Sequence, residues 1–212
     1  MSNEQLAHPE LAGVNVDEDS QDLSRSEVIL KGALAAGAVY GTFMVGPYVG
    51  RALAMSGGGD VGILNFALTL EYLEAKFYAE AKSRAGAKGE LQSLVDLLAR
   101  DEAEHVEALT ATIKKLGGKP VAEPKFDFAY GDTAGFLELA QTFEDTGVSA
   151  YNGAGPMIKS KEVLAAAGGI VQVEARHAAA IRLQNEAEPA PDAFDPSLGK
   201  AQVLKAVEPF IA

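Results

Sequence analysis

The sequence predicts an all-α protein: a four-helix bundle with an apolar helix on its N-terminal side and a short C-terminal helix. Three observations carry this. Four long segments place apolar residues at helical three-and-four spacing. Gly- and Pro-containing breaks separate them. The second pair of segments also repeats the polar pattern of the first.

Composition narrows the functional classes. The chain has 212 residues, 48% of them hydrophobic and 23% charged, which suits a globular protein with a substantial core. Acids outnumber bases 30 to 18, for a net charge of −12. No basic cluster offsets that excess, so no nucleic-acid partner is expected. There are no cysteines, which excludes disulfides, thiolate metal sites, iron–sulfur clusters and cysteine nucleophiles. Imidazole chemistry is limited to His8, His105 and His177.

Residues 1–22 hold six acids and no Lys or Arg, and read as an acidic polar tail in which His8 is solvated. Residues 23–55 read as an apolar helix, because the run from Gly32 to Gly50 carries no charge at all. That run reaches membrane-spanning length but is only weakly apolar, and Pro47 interrupts it. The spacings Gly37/Gly41 and Gly46/Gly50 would admit a neighbouring helix closely. Three readings stay open: an export signal with a cleavage site at Ala52-Leu53-Ala54, a retained membrane anchor, or a helix packed on a partner. The expected location is the cell envelope, exported or membrane-associated, with the cytoplasm as the alternative. Residues 32–50 are the expected contact to a membrane or a partner helix, and an oligomer is compatible with them.

The bundle is expected over residues 56–188. Gly57-Gly58-Gly59 forms a break, and Asp60 is placed to cap a first helix over Val61 to Ser83, with Phe66, Leu70, Leu73 and Phe77 on its inner face. A turn at Gly86 to Gly89 leads to a second helix, Glu90 to Leu116, which Gly117-Gly118-Lys119-Pro120 ends. The connection Val121 to Gly131 is long enough to cross the outside of a bundle. Asp132 caps a third helix over Thr133 to Asn152, and Ser160 opens a fourth running to Asn185. Gly168 and Gly169 fall inside the fourth helix, where they mark close packing or a distortion. Residues 189–212 read as a proline-rich loop and a short helix near Ala201 to Val207.

The repeat carries the chemistry. Thr69-Leu70-Glu71 with Tyr78 recurs in the third helix as Thr142-Phe143-Glu144 with Tyr151. Glu102-Ala103-Glu104-His105 recurs in the fourth, at almost the same offset along the chain, as Glu174-Ala175-Arg176-His177. Glu and His three apart share a helix face and can reach one metal ion. Two such pairs plus Glu71 and Glu144 supply four carboxylates and two imidazoles, the donor set that ferritin-like carboxylate bundles use for paired metal ions. It suits two Fe or two Mn ions equally. A metal-free network of the same residues would bury excess negative charge, which is costly. Glu71 is the expected ligand rather than Glu74, because Gly147 stands at Glu74's repeat position. Glu104, Glu107 and Asp145 are expected to face solvent or to support the ligands. Asp101, one turn before His105, is placed to orient that ring. Tyr78 and Tyr151 are expected to pack in the core.

At these residues the chain resembles the ferritin-like superfamily, and within it the bacterial ferritin-like domain proteins that include desiccation-related proteins. The resemblance runs from Asp60 to the C-terminus, through the phrases Leu64-Asn65-Phe66-Ala67-Leu68-Thr69-Leu70-Glu71-Tyr72-Leu73-Glu74 and Ala190-Pro191-Asp192-Ala193-Phe194. It implies a di-iron or di-manganese bundle and redox chemistry in which a small oxidant (oxygen or peroxide) or ferrous iron is the substrate. In the ligand set it implies, Glu71 and Glu144 bind singly, Glu102 and Glu174 bridge, and His105 and His177 are terminal. Relatives commonly carry a twin-arginine leader; here Arg25 is followed by Ser26 where a second Arg would stand. The alternative function is a membrane-associated accessory or structural subunit whose metal site is structural or vestigial.

Overall fold

The computed structural model describes residues 58–212. The expected acidic tail and the apolar segment with its uncharged run 32–50 lie outside the described residues. Four long helices form the core: α1 (Asp60–Arg84), α2 (Glu90–Lys115), α3 (Thr133–Ala154) and α4 (Lys161–Gln184). A short α5 (Lys200–Val207) follows, and single 3-10 turns occupy Gly155–Met157 and Glu208–Phe210. Among the described residues there is no named strand, only an isolated antiparallel bridge between Phe126 and Ile211. No helix among them is long and apolar enough to cross a membrane.

Two helical hairpins, α1–α2 and α3–α4, pack against each other, and α5 lies on α3. Side-chain contacts fix the directions. Tyr78 meets Glu144 while Tyr151 meets Glu71, so α1 and α3 run antiparallel. His105 meets Glu174 while His177 meets Glu102, so α2 and α4 do too. The α1–α2 turn is short, and α2 and α3 therefore run the same way. That is why the connection between them must travel the length of the bundle. Asn65, fully buried, pins its start by donating to the Lys119 carbonyl and accepting from the Val121 amide.

Local chemistry explains most helix ends. Asp132 accepts from the Gly135 amide at 2.9 Å and Ser160 from the Val163 amide at 3.3 Å, as N-caps do. Asp60 behaves differently from the expectation that it caps α1. It is the first helical residue, and Gly59, at φ 68°, stands at the cap position. The Asp60 carboxylate instead accepts from the Lys159 and Ser160 amides, both at 2.8 Å, tying the start of α1 to the start of α4. Those two donors hold its carboxyl below the usual range. Gly168 and Gly169 do not mark close packing: α4 continues unbroken through them, and a Cβ at either would meet open space.

The core divides into two apolar clusters with polar residues between them. At one end Phe77 stacks on Phe136 and meets Phe128 and Phe143 edge-on, with centroids 4.9–5.2 Å apart. Ile181 and α5 residues Val203, Leu204 and Val207 complete that cluster. At the other end Leu64, Leu68, Leu109, Ile113, Val163 and Ile170 pack together.

Candidate metal centre

A bundle interior normally excludes charge, yet seven acidic or imidazole side chains are buried in the four helices here, the six of the repeat and Glu74. Glu71, Glu102, Glu144 and Glu174 have no exposed surface, and His177 and His105 have 4% and 9%. The helices deliver them as the repeat predicts: one Glu from α1, one from α3, and a Glu–His pair three residues apart from each of α2 and α4.

The donor atoms converge on two adjacent points. Glu71, Glu102, His105 and Glu174 bring one donor atom each within 4.8 Å of one another, and so do Glu102, Glu144, Glu174 and His177. Glu102 and Glu174 belong to both groups. His105 Nδ1 lies 2.9 Å from Glu174 Oε1 and 3.2 Å from both Glu71 Oε2 and Glu102 Oε2. His177 Nδ1 lies 2.9 Å from Glu102 Oε1 and 3.7 Å from Glu144 Oε2 and Glu174 Oε2.

Proximity without hydrogen-bond geometry is the telling feature. Glu102 Oε1, Glu144 Oε2, both Glu174 oxygens and His177 Nδ1 are buried and make no hydrogen bond. Buried polar atoms left so are rare and costly in a native core. Lone pairs that point at a shared centre rather than at donors are what ligands to a cation require. Four carboxylates and two neutral imidazoles also match the charge of two divalent ions, and oxygen with imidazole suits Fe and Mn. The donor set fits such a pair.

The electrostatics describe the strain of this set without a cation. Burial, then repulsion from Glu174, pushes the Glu71 and Glu144 carboxyls well above the ordinary range. Burial acts the same way on Glu102, but the close approach of the His105 and His177 rings outweighs it and brings its pKa down to about 2. Burial alone would lower both imidazoles. The surrounding carboxylates, Glu102 and Glu174 first, prevail and raise His105 to about 12 and His177 to about 11.

A second layer holds these side chains. Tyr78 on α1 donates to Glu144 Oε1 at 2.5 Å, and Tyr151 on α3 donates to Glu71 Oε1. The two tyrosines are core residues, as expected, and are also the hydrogen-bond partners of the two carboxylates from α1 and α3. Their offset of seven residues, two helical turns from each Glu, is the signal that could have revealed this. Asp101 corrects an expectation. It faces His177 rather than His105, with Oδ2 3.3 Å from His177 Nε2, while its Oδ1 accepts from Arg100. Its repeat position on α4 is Val173, so this support exists at one imidazole only. Glu104 and Glu107 face solvent, and Asp145 pairs with Arg182 at 2.5 Å. Glu74 is not in either donor group, yet it is 2% exposed and buried beside them.

Comparison with known proteins follows the same lines. Residues 59–186 match the family model described as a ferritin-like domain. Among solved structures, a conserved hypothetical protein, rv2844, from Mycobacterium tuberculosis aligns with a TM-score of 0.54 at 17% identity. The alignment covers 64% of this chain and 96% of that one, and the likeness is one of fold. No curated protein matches the chain.

Proposed function

The chain belongs to the ferritin-like domain family, and from that premise we propose that it is a di-metal carboxylate protein that carries out redox chemistry on oxygen, peroxide or ferrous iron. One observation carries the reading: Glu102 and Glu174 stand in both four-donor groups, which supports two adjacent ions sharing two carboxylates. Glu71 and His105 would complete one position, Glu144 and His177 the other. A pair of Fe or Mn ions, when bound, supplies two one-electron couples side by side, as two-electron chemistry on dioxygen or peroxide needs.

The protein's own contribution is to hold and to exclude. Each ligand sits on a regular helix, so its backbone position does not depend on a loop. Tyr78 and Tyr151 each occupy one oxygen of Glu144 and Glu71 and leave the other turned toward the centre. Asp101 accepts at His177 Nε2, which directs Nδ1 inward as the donor atom. The apolar clusters on either side lower the dielectric around the charged layer, which strengthens every interaction within it.

Metal analysis of protein purified without chelators tests the reading. The expected result is about two Fe or Mn per chain in the wild type, most of it lost in Glu102→Ala with the helical content intact. Protein that takes up neither metal after anaerobic loading with Fe(II) and Mn(II) would rule it out. With metal present, oxygen uptake on Fe(II) addition reports oxygen-dependent iron oxidation, and peroxide consumption in its absence reports peroxide as the substrate.

A further inference from the structure

Glu74 lies one helical turn beyond Glu71 on α1 and is 2% exposed. No described residue donates a hydrogen bond to it. A buried carboxyl without a donor is costly, so its retention calls for a partner of another kind. Beyond burial, its surroundings are set by the acids of the metal centre, Glu174 first, then Glu102, Glu144 and Glu71. Across the bundle it meets Gly147: a Cβ there would stand 3.0 Å from Glu74 Oε1, tighter than ordinary contact. Gly147 is also the position on α3 that the repeat pairs with Glu74. Thus α3 carries no side chain at the point where α1 sends its acid inward, and the two halves of the site differ there.

We infer that Glu74 is a seventh ligand side chain of the di-metal centre, supplied by α1 alone, so that the two metal positions are unequal. The inference rests on the di-metal reading above. Its physical content is a crossover. In the metal-free protein Glu74 is a buried acid with no hydrogen-bond donor among the described residues; with metal bound it gains a cation. A residue that serves only the fold would act in the opposite sense.

The experiment compares wild type, Glu74→Gln and Gly147→Ala by thermal unfolding with and without metal, and by anaerobic titration with Mn(II). The expected result for Glu74→Gln is a metal-free melting temperature at or above wild type and a smaller rise on adding Mn(II). One of its two Mn(II) ions should bind roughly ten-fold or more weakly, with the other little changed. Gly147→Ala keeps the acid but displaces it by a few tenths of an ångström. It should weaken the same ion to a smaller degree, and it decides the matter if Glu74→Gln does not fold. A lower metal-free melting temperature with both Mn(II) affinities unchanged would make Glu74 a structural acid and overturn the inference. A wild type that Mn(II) does not stabilise would instead remove the di-metal reading itself, and this inference with it.

Discussion

Tyr78 reaches from α1 to α3 and donates its phenolic hydrogen to Glu144 at 2.5 Å, and Tyr151 returns the contact from α3 to Glu71 on α1. The pair is a two-fold relation written into one chain. Each phenol is fully or nearly buried, and burial, then the carboxylate it faces, raises its pKa well above the ordinary value. Both therefore remain protonated donors across the whole neutral range. Tyr78→Phe leaves Glu144 Oε1 without its donor, at a cost of about 1–3 kcal/mol. The expected outcome is a lower melting temperature and roughly ten-fold weaker metal binding, with Tyr151→Phe giving a similar loss. Unchanged metal affinity in both variants would reduce the tyrosines to packing.

Because Glu102 is common to both donor groups and Glu71 to one, the two should fail differently. Glu71→Ala is expected to retain roughly one ion per chain, whereas Glu102→Ala retains almost none. Plasma mass spectrometry after identical loading measures this directly. Equal losses in the two variants would argue against shared carboxylates, even if the site binds metal.

Much of this cluster is legible without coordinates, because its glutamates and histidines recur at nearly equal offsets along the chain and share helix faces. Helix limits follow from the breaks at Gly86 to Gly89, Gly117-Gly118 and Asp132 to within a residue or two. What escapes the sequence lies between helices. Spacing along α2 puts Asp101 near His105, but no spacing within one helix tells which neighbour packs alongside, and Asp101 turns to His177 on α4. The repeat discounts Glu74 because Gly147 breaks it; in three dimensions that same glycine is what leaves room for the acid. Asp60 reads as a cap from its place before a helix, but the amides it binds are 99 and 100 residues away.

Proton release should accompany metal binding. In the metal-free bundle His105 and His177 titrate at about 12 and about 11, against an unfolded value of 6.5. Raised folded values mean that the stability these protons lend is full below pH 6.5. It declines as pH rises and is gone above about 11 to 12. A metal ion at Nδ1 must displace those protons, so apparent affinity should increase with pH through the neutral range. Isothermal titration at pH 7 in two buffers of different ionisation enthalpy should report at least about two protons released per chain, from the imidazoles and also from the raised Glu71 and Glu144 carboxyls. The metal-free melting temperature should fall between pH 7 and 10 more steeply than that of the metal-loaded protein. Parallel profiles with no proton release would contradict ligation by the two imidazoles.

Gly153, in the last turn of α3, governs how the C-terminal segment closes the bundle. A Cβ there would lie 2.0 Å from the Leu198 carbonyl oxygen and 2.8 Å from its carbon. That backbone is anchored, since the Leu198 amide donates to the Ser149 carbonyl at 3.0 Å. Beyond it, α5 inserts Val203, Leu204 and Val207 into the aromatic cluster, and Phe210 meets Phe143 edge-on at 4.8 Å. Alanine at position 153 must therefore push the segment outward. Helix propensity would favour the change by about 1 kcal/mol, while the clash costs about 1–3 kcal/mol and the lost burial adds to it. The expected result for Gly153→Ala is net destabilisation, with amide exchange across residues 198–212 accelerating well before that of α1 to α4. Phe143 precedes Glu144 in the chain, so loosening its cover should also weaken metal binding modestly. Wild-type exchange rates throughout 198–212 would show that the segment tolerates the methyl group, and that its seat on α3 does not depend on glycine.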